Sequence, residues 1–188
     1  FNFPAMIPFG WMIPLCITTG NTFVLKAASL TPQTAVRMLE LLIEAGLPKG
    51  VVNLVTCSRK EAELLLKHPD VRGVSYVGST DVGRHIYSLA AANGKRVQAL
   101  CEAKNHALVL RDAALERCAL GIINSTFGCA GMRCMALPVI CVEEAVADEF
   151  VSYLVKFAKE RKVGCAYDPA TELGPVVSES HKKFVTDW

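Results

Sequence analysis

Val71-Arg72-Gly73-Val74-Ser75-Tyr76-Val77-Gly78-Ser79-Thr80-Asp81-Val82-Gly83 decides the fold, because a β-branched run passes through Gly-Ser directly into a helical pattern. The run from Val71 to Val77 predicts a strand, and the spacing from about Val82 to Asn93, closed by Gly94, predicts a helix. A strand that feeds a helix in this way is the elementary piece of a mainly parallel α/β sheet. Gly78 and Gly83 permit close backbone approach at the turn, and the N–H groups after Ser79, with the helix dipole, attract an anion such as a phosphate. The spacing is neither G-x-G-x-x-G nor a Walker loop. An ordinary strand-to-helix turn uses the same residues, so both readings stand.

The same rhythm extends outward in both directions. Thr22 to Lys26 reads as a strand, and Thr31-Pro32 opens a helix as N-cap and first helical residue, running to a stop at Gly46. Val51 to Val55 is a second strand, followed by a short helix around Glu61 to Leu66. Beyond the central stretch, strands are expected at Arg96 to Cys101, Ala107 to Leu110 and Leu137 to Val142, and helices at Ala114 to Phe127 and Val146 to Arg161. A domain boundary is expected near Ala103, where the turn-like Lys104-Asn105-His106 follows a strand. This divides the chain into residues 1–103 and 104–188.

A hydrophobic share of 52% with 20% charged residues, over 188 residues, excludes a disordered chain and supplies one sizeable core, or one domain and part of another. The net charge of +2 offers no basic surface for nucleic acid, which leaves small molecules as partners. Eight cysteines without a C-x-x-C pair and four scattered histidines support neither a zinc site nor a disulfide scaffold. A reducing compartment fits that usage. Phe3 to Leu25 is apolar, but Pro4, Pro8 and Pro14 forbid one continuous spanning helix and no basic segment precedes them. The chain starts without methionine and inside what reads as a motif, so a fragment is expected, with any targeting peptide upstream.

Phe127-Gly128-Cys129-Ala130-Gly131-Met132-Arg133-Cys134-Met135-Ala136 is a small-residue turn that presents a cysteine beside an arginine. A thiol attacks a carbonyl carbon as thiolate, and an adjacent cation with nearby backbone N–H groups favours that form. Cys134 is therefore the candidate nucleophile. The alternative is a small buried hydrophobe, the usual condition of a free cysteine.

Four motifs together resemble the aldehyde dehydrogenase superfamily along essentially the whole chain. They are Phe1-Asn2-Phe3-Pro4, Gly20-Asn21-Thr22-Phe23-Val24-Leu25-Lys26, Val77 to Gly83, and Gly128 to Cys134, with Glu172-Leu173-Gly174-Pro175 adding to the match. Lys104-Asn105-His106 and Arg133-Cys134-Met135-Ala136 resemble more particularly its acylating branch, which oxidises methylmalonate or malonate semialdehyde and passes the product to coenzyme A. The resemblance implies a parallel-sheet, Rossmann-like NAD-binding domain in 1–103 and the start of an α/β catalytic domain in 104–188.

The resemblance also implies roles. Cys134 would add to the aldehyde, the Asn2 amide and the Cys134 backbone N–H would hold the oxyanion, and hydride would pass to NAD to leave a thioester. Coenzyme A would then take the acyl group, giving propionyl-CoA or acetyl-CoA with loss of carbon dioxide. Arg133 would pair with the far carboxylate of the substrate. Lys26 matches a lysine near the adenosine ribose, Ser79 a phosphate contact in the Gly78–Gly83 turn, and Phe1 and Cys101 the lining of the nicotinamide. Ser29 stands where the family usually has a glutamate for the ribose hydroxyls, and Gly10 looks like an insertion.

At Leu100 the hydrolytic members carry the glutamate that activates water, a task leucine cannot perform. Glu102, two residues on, would be a displaced base, a surface charge, or a carboxylate that raises the Cys134 pKa. Three readings stand side by side: an acylating semialdehyde dehydrogenase or its central fragment, a hydrolytic aldehyde dehydrogenase using Glu102, and a non-catalytic nucleotide-binding module. Full-length members are homo-oligomers, although the oligomerising segment is missing from these residues. Their place would be the mitochondrial matrix in a eukaryote and the cytoplasm in a bacterium.

Overall fold

The computed structural model describes residues 3–187, which fall into two compact units, Phe1–Glu102 and Ala103–Trp188. In the first, strand β1 (Phe23–Lys26) precedes helix α2 (Pro32–Glu44), and β2 (Val52–Val55) precedes α3 (Arg59–Lys67). The strand β3 (Gly73–Val77) then runs into α4 (Thr80–Ala92), and β4 (Arg96–Leu100) closes the unit. Ahead of them stands the short helix α1 (Ile13–Thr18). Ile13, Leu25, Ala27, Ala35 and Val52 form the core between α1, α2 and the first two strands.

The second unit pairs β5 (His106–Val109) with β6 (Val139–Val142), carries α5 (Leu115–Phe127) and α6 (Ala147–Lys159), and ends with α7 (Glu179–Thr186). Phe150, fully buried, packs with Val109, Ala119 and Ile122 where the two long helices meet the strands. The α/β class and the parallel direction read from the sequence are those observed. Each connection between paired strands contains a helix, which is what parallel pairing requires.

Three details differ from expectation. The strands form three two-stranded parallel pairs, β1 with β2, β3 with β4 and β5 with β6, rather than one sheet among the described residues. Helix α7 carries no clear signal in the sequence, because its first turn is polar and its start depends on the Ser178 hydroxyl accepting from the His181 N–H at 3.2 Å. The proline-rich start is helical: Pro8–Met12 forms a π turn that continues into α1, and the Ile13 N–H donates to the Pro8 carbonyl. A π turn holds one more residue than an α turn, and Gly10 lies inside it. Among the described residues no helix is long and apolar enough to cross a membrane.

Two local devices brace the first unit at the start of α3 and ahead of the β3–β4 pair. Ser58 caps α3 reciprocally with Glu61: the Glu61 N–H donates to the serine hydroxyl at 3.2 Å, and the Ser58 N–H donates to the glutamate at 2.8 Å. Lys95 is 8% exposed, and its ammonium donates to the carbonyls of His68 and Val71 at 2.5 and 2.6 Å. It thereby ties the segment entering β3 to the segment entering β4.

Candidate functional site

The candidate residues occupy two places, one in each unit. Phe1 and Asn2, expected beside the nicotinamide and the oxyanion, lie outside the described residues.

In the first unit the expected residues fall in two groups, Lys26 and Ser29 after β1, and Ser79 and Cys101 after β3 and β4. Lys26, the last residue of β1, donates from its ammonium to the Ser29 hydroxyl at 3.1 Å. The two residues expected near the adenosine ribose thus contact each other. Ser79 is the N-cap residue of α4 but makes no capping bond with its own side chain. The Thr80 N–H donates instead to Glu102 Oε2 at 3.1 Å. That contact holds the Glu102 carboxyl below the ordinary carboxylate range, because hydrogen bonds to Thr80 favour its charged form.

The glycines of this turn serve internal packing. A Cβ on Gly78 would overlap the Tyr76 hydroxyl, and one on Gly83 would overlap the Cys101 sulfur. Cys101, half-buried, thus lies between β4 and the first turn of α4. Burial pushes the Tyr76 phenol up, while its hydroxyl donates to the Ser79 carbonyl at 3.4 Å. The β3–α4 turn is therefore closed on its inner side by Tyr76 and Cys101, and its first-turn N–H carries a protein carboxylate.

In the second unit, α5 ends at Phe127 and the chain turns sharply. Cys129, Ala130 and Gly131 adopt left-handed backbone at φ 53, 54 and 73° in succession. For the two non-glycine residues this conformation costs about 1–2 kcal/mol each, and such strain concentrates where a loop must present a side chain. Cys134 follows, exposed, in the turn closed by the Ala136 N–H donating to the Arg133 carbonyl at 3.0 Å.

Two side chains latch this turn to the frame. The Asn105 amide donates to the carbonyls of Cys134 and Ala136, both at 2.8 Å. The Thr126 hydroxyl, near the end of α5, donates to the Leu137 carbonyl at 2.9 Å. Asn105 immediately precedes β5, and Ala136 leads toward β6, so the amide sews together the entries to two paired strands. Sequence reasoning found Asn105 only as part of a turn and a family motif, and it missed Thr126. The contacts span 29 and 31 residues for Asn105, a separation across which no local pattern signals a bond.

Arg133 faces the thiol that precedes the candidate nucleophile. Its Nε donates to Cys129 Sγ at 3.4 Å, and its guanidinium lies over Gly128, where a Cβ would come within 2.5 Å of Cζ. The adjacency read from the sequence, arginine next to cysteine, thus places the cation against Cys129.

The sequence model of the aldehyde dehydrogenase family matches residues 1–188. The chain belongs to the aldehyde dehydrogenase family. Among curated members it is 48% identical, over all of its 188 residues, to malonate-semialdehyde dehydrogenase 1 of Oceanobacillus iheyensis, and covers 38% of that protein. Among solved aldehyde dehydrogenase structures, methylmalonate-semialdehyde dehydrogenase of Oceanimonas doudoroffii is 41% identical with a TM-score of 0.95, matched over 99% of this chain and 38% of the other. Betaine aldehyde dehydrogenase of Staphylococcus aureus, solved in complex with NAD+, is 31% identical with a TM-score of 0.91 over 97% of this chain and 37% of the other. The chain therefore spans a little over a third of the length of the aldehyde dehydrogenases it matches.

Proposed function

We propose that the chain carries the thiol and part of the cofactor-binding framework of an NAD-dependent, coenzyme A-acylating dehydrogenase for malonate or methylmalonate semialdehyde. In this reading residues 1–103 belong to the NAD-binding domain and residues 104–188 to the catalytic domain. The single observation that carries it is the latched, strained turn that presents an exposed Cys134 in a chain 48% identical to a malonate-semialdehyde dehydrogenase.

The Cys134 thiolate adds to the aldehyde carbon and forms a C–S bond, and the carbonyl electron pair moves to oxygen. The Cys134 N–H and the Asn2 amide are assigned to that oxyanion. NAD, when bound, supplies a two-electron acceptor for the hydride that leaves this carbon, so that the oxyanion collapses to a thioester. The thiolate of coenzyme A then displaces Cys134 as thiolate, and the β-carboxylate departs as carbon dioxide, its bonding electron pair passing to the α-carbon, which takes a proton from solvent, leaving propionyl-CoA or acetyl-CoA. Arg133 is assigned to the substrate carboxylate before that loss, for which its guanidinium must turn away from Cys129.

Lys26, Ser29, Ser79 and the Gly78–Gly83 turn are assigned to the dinucleotide, and Phe1 and Cys101 to its nicotinamide end. The fit of the turn is mixed: Ser79 keeps its side chain out of the cap, whereas Glu102 is already bound at Thr80. Glu102 also bears on the hydrolytic alternative. A general base for water works best with a pKa raised toward neutrality, and the Thr80 contact shifts Glu102 the other way. Together with leucine at position 100, this favours thiol over water as acyl acceptor. The test is NADH formation from methylmalonate semialdehyde with and without coenzyme A; turnover that ignores coenzyme A and is lost in Glu102→Gln would reverse the assignment.

A further inference from the structure

Among the described residues, Glu102 is the carboxylate bonded to the main chain at the start of α4. Its Oε2 accepts from the Thr80 N–H at 3.1 Å, although 22 residues separate the two in sequence. Ser79, the N-cap, has a side chain that would ordinarily fill this role and does not. The helix end is thus satisfied by an anion supplied from the segment just beyond β4. An anionic group at a helix N-terminus is held both by the N–H donor and by the helix dipole, and two anions cannot share the same donors without repulsion.

We infer that Glu102 is an affinity-determining residue that competes with the phosphates of the dinucleotide for the N-terminus of α4. The inference rests on the assignment of the Gly78–Gly83 turn to NAD under the proposed function. It concerns this chain's own residue: the carboxylate must leave Thr80 before a phosphate oxygen can take that N–H, and its charge must move away from the incoming pyrophosphate. Tyr76 and Cys101 fill the space beside Gly78 and Gly83, and Glu102 is exposed with Thr80 as its hydrogen-bond partner. The consequence is weaker dinucleotide binding than the turn could otherwise provide. Adenosine, which carries no phosphate, escapes the competition.

The test measures NAD affinity by calorimetry on the 188-residue chain and on Glu102→Gln, Glu102→Gly and Ser79→Asp, all checked for folding by circular dichroism. Removing the charge in the first two should tighten NAD by roughly two- to fivefold, the scale of one charge–dipole interaction at an exposed helix terminus. Ser79→Asp, which keeps a good N-cap but adds a second carboxylate, should weaken binding. If Ser79→Asp weakens NAD while both Glu102 variants leave it unchanged, the competition is refuted and the cofactor assignment stands. If NAD binds and no variant alters its affinity, both are refuted. Absence of NAD binding in every folded variant, including Glu102→Gly, also overturns the inference, since the cleared helix end should then have bound.

Discussion

Asn105→Ala should loosen the turn that presents Cys134 and lower stability by an amount the geometry sets. The amide donates two hydrogen bonds of 2.8 Å, to the carbonyls of Cys134 and Ala136. A neutral intramolecular bond contributes about 0.5–1.5 kcal/mol net, so losing two costs about 1–3 kcal/mol. For a unit of this size, each kcal/mol lowers the melting temperature by roughly 4–8 °C. The isosteric Asn105→Asp is the sharper probe. It removes both donors and sets a carboxylate against two carbonyl oxygens, so it should be no more stable than the alanine variant despite its better shape. The assay is thermal melting, followed by the rate at which iodoacetamide labels Cys134, resolved by peptide mass spectrometry. A labelling rate that changes in both variants accompanies a turn released from its frame. Melting within about 0.5 kcal/mol of the parent for both variants, the usual range for an inert surface change, with labelling unaltered, would refute the latch.

Gly83→Ala places a methyl against the Cys101 sulfur, at a cost of about 1–3 kcal/mol that outweighs the gain of about 1 kcal/mol from alanine in a helix. In a Cys101→Ala background the same substitution should become stabilising, a change of sign readable by urea titration. Lys95→Met keeps the volume of a buried side chain but strips two carbonyls of their donor, and should cost about 2–4 kcal/mol in the same titration. Glu61, Glu63, Glu102 and Glu143 all have carboxyls held below the ordinary carboxylate range in the folded chain, each mainly by hydrogen bonds to its charged form. Groups so depressed contribute stability that is present above their unfolded pKa and lost as pH falls through the folded one. Melting temperature should therefore drop as pH is taken below 4.5, and stay level on that account above it.

Much of the fold is legible in the residues because local signals agree with one another. β-Branched runs such as Val74 to Val77, followed by Gly-Ser and an amphipathic stretch, state both the strand and the direction of its successor. Which strand edges meet is decided by tertiary contact, so the division into three pairs could not be read. The π turn at Pro8–Met12 was equally hidden: proline says that a helix is disturbed, and only the Ile13–Pro8 hydrogen bond says how.

The candidate site shows the same division. Cys134, Ser79 and Lys26 stand in recognisable local motifs, so their positions could be named in advance. Arg133 could be named but not aimed, since the left-handed Cys129 and Ala130 bring the Cys129 sulfur under its guanidinium. Asn105 and Glu102 act across 22 or more residues through a single side chain, which leaves no periodicity to detect.

The most direct measurement of the central claim is NADH formation, followed at its near-ultraviolet absorbance, by the 188-residue chain with NAD, methylmalonate semialdehyde and coenzyme A, beside Cys134→Ala. The account predicts NADH that depends on coenzyme A for continued turnover and disappears in Cys134→Ala. NADH formed equally by Cys134→Ala, or continued turnover that ignores coenzyme A, would contradict it.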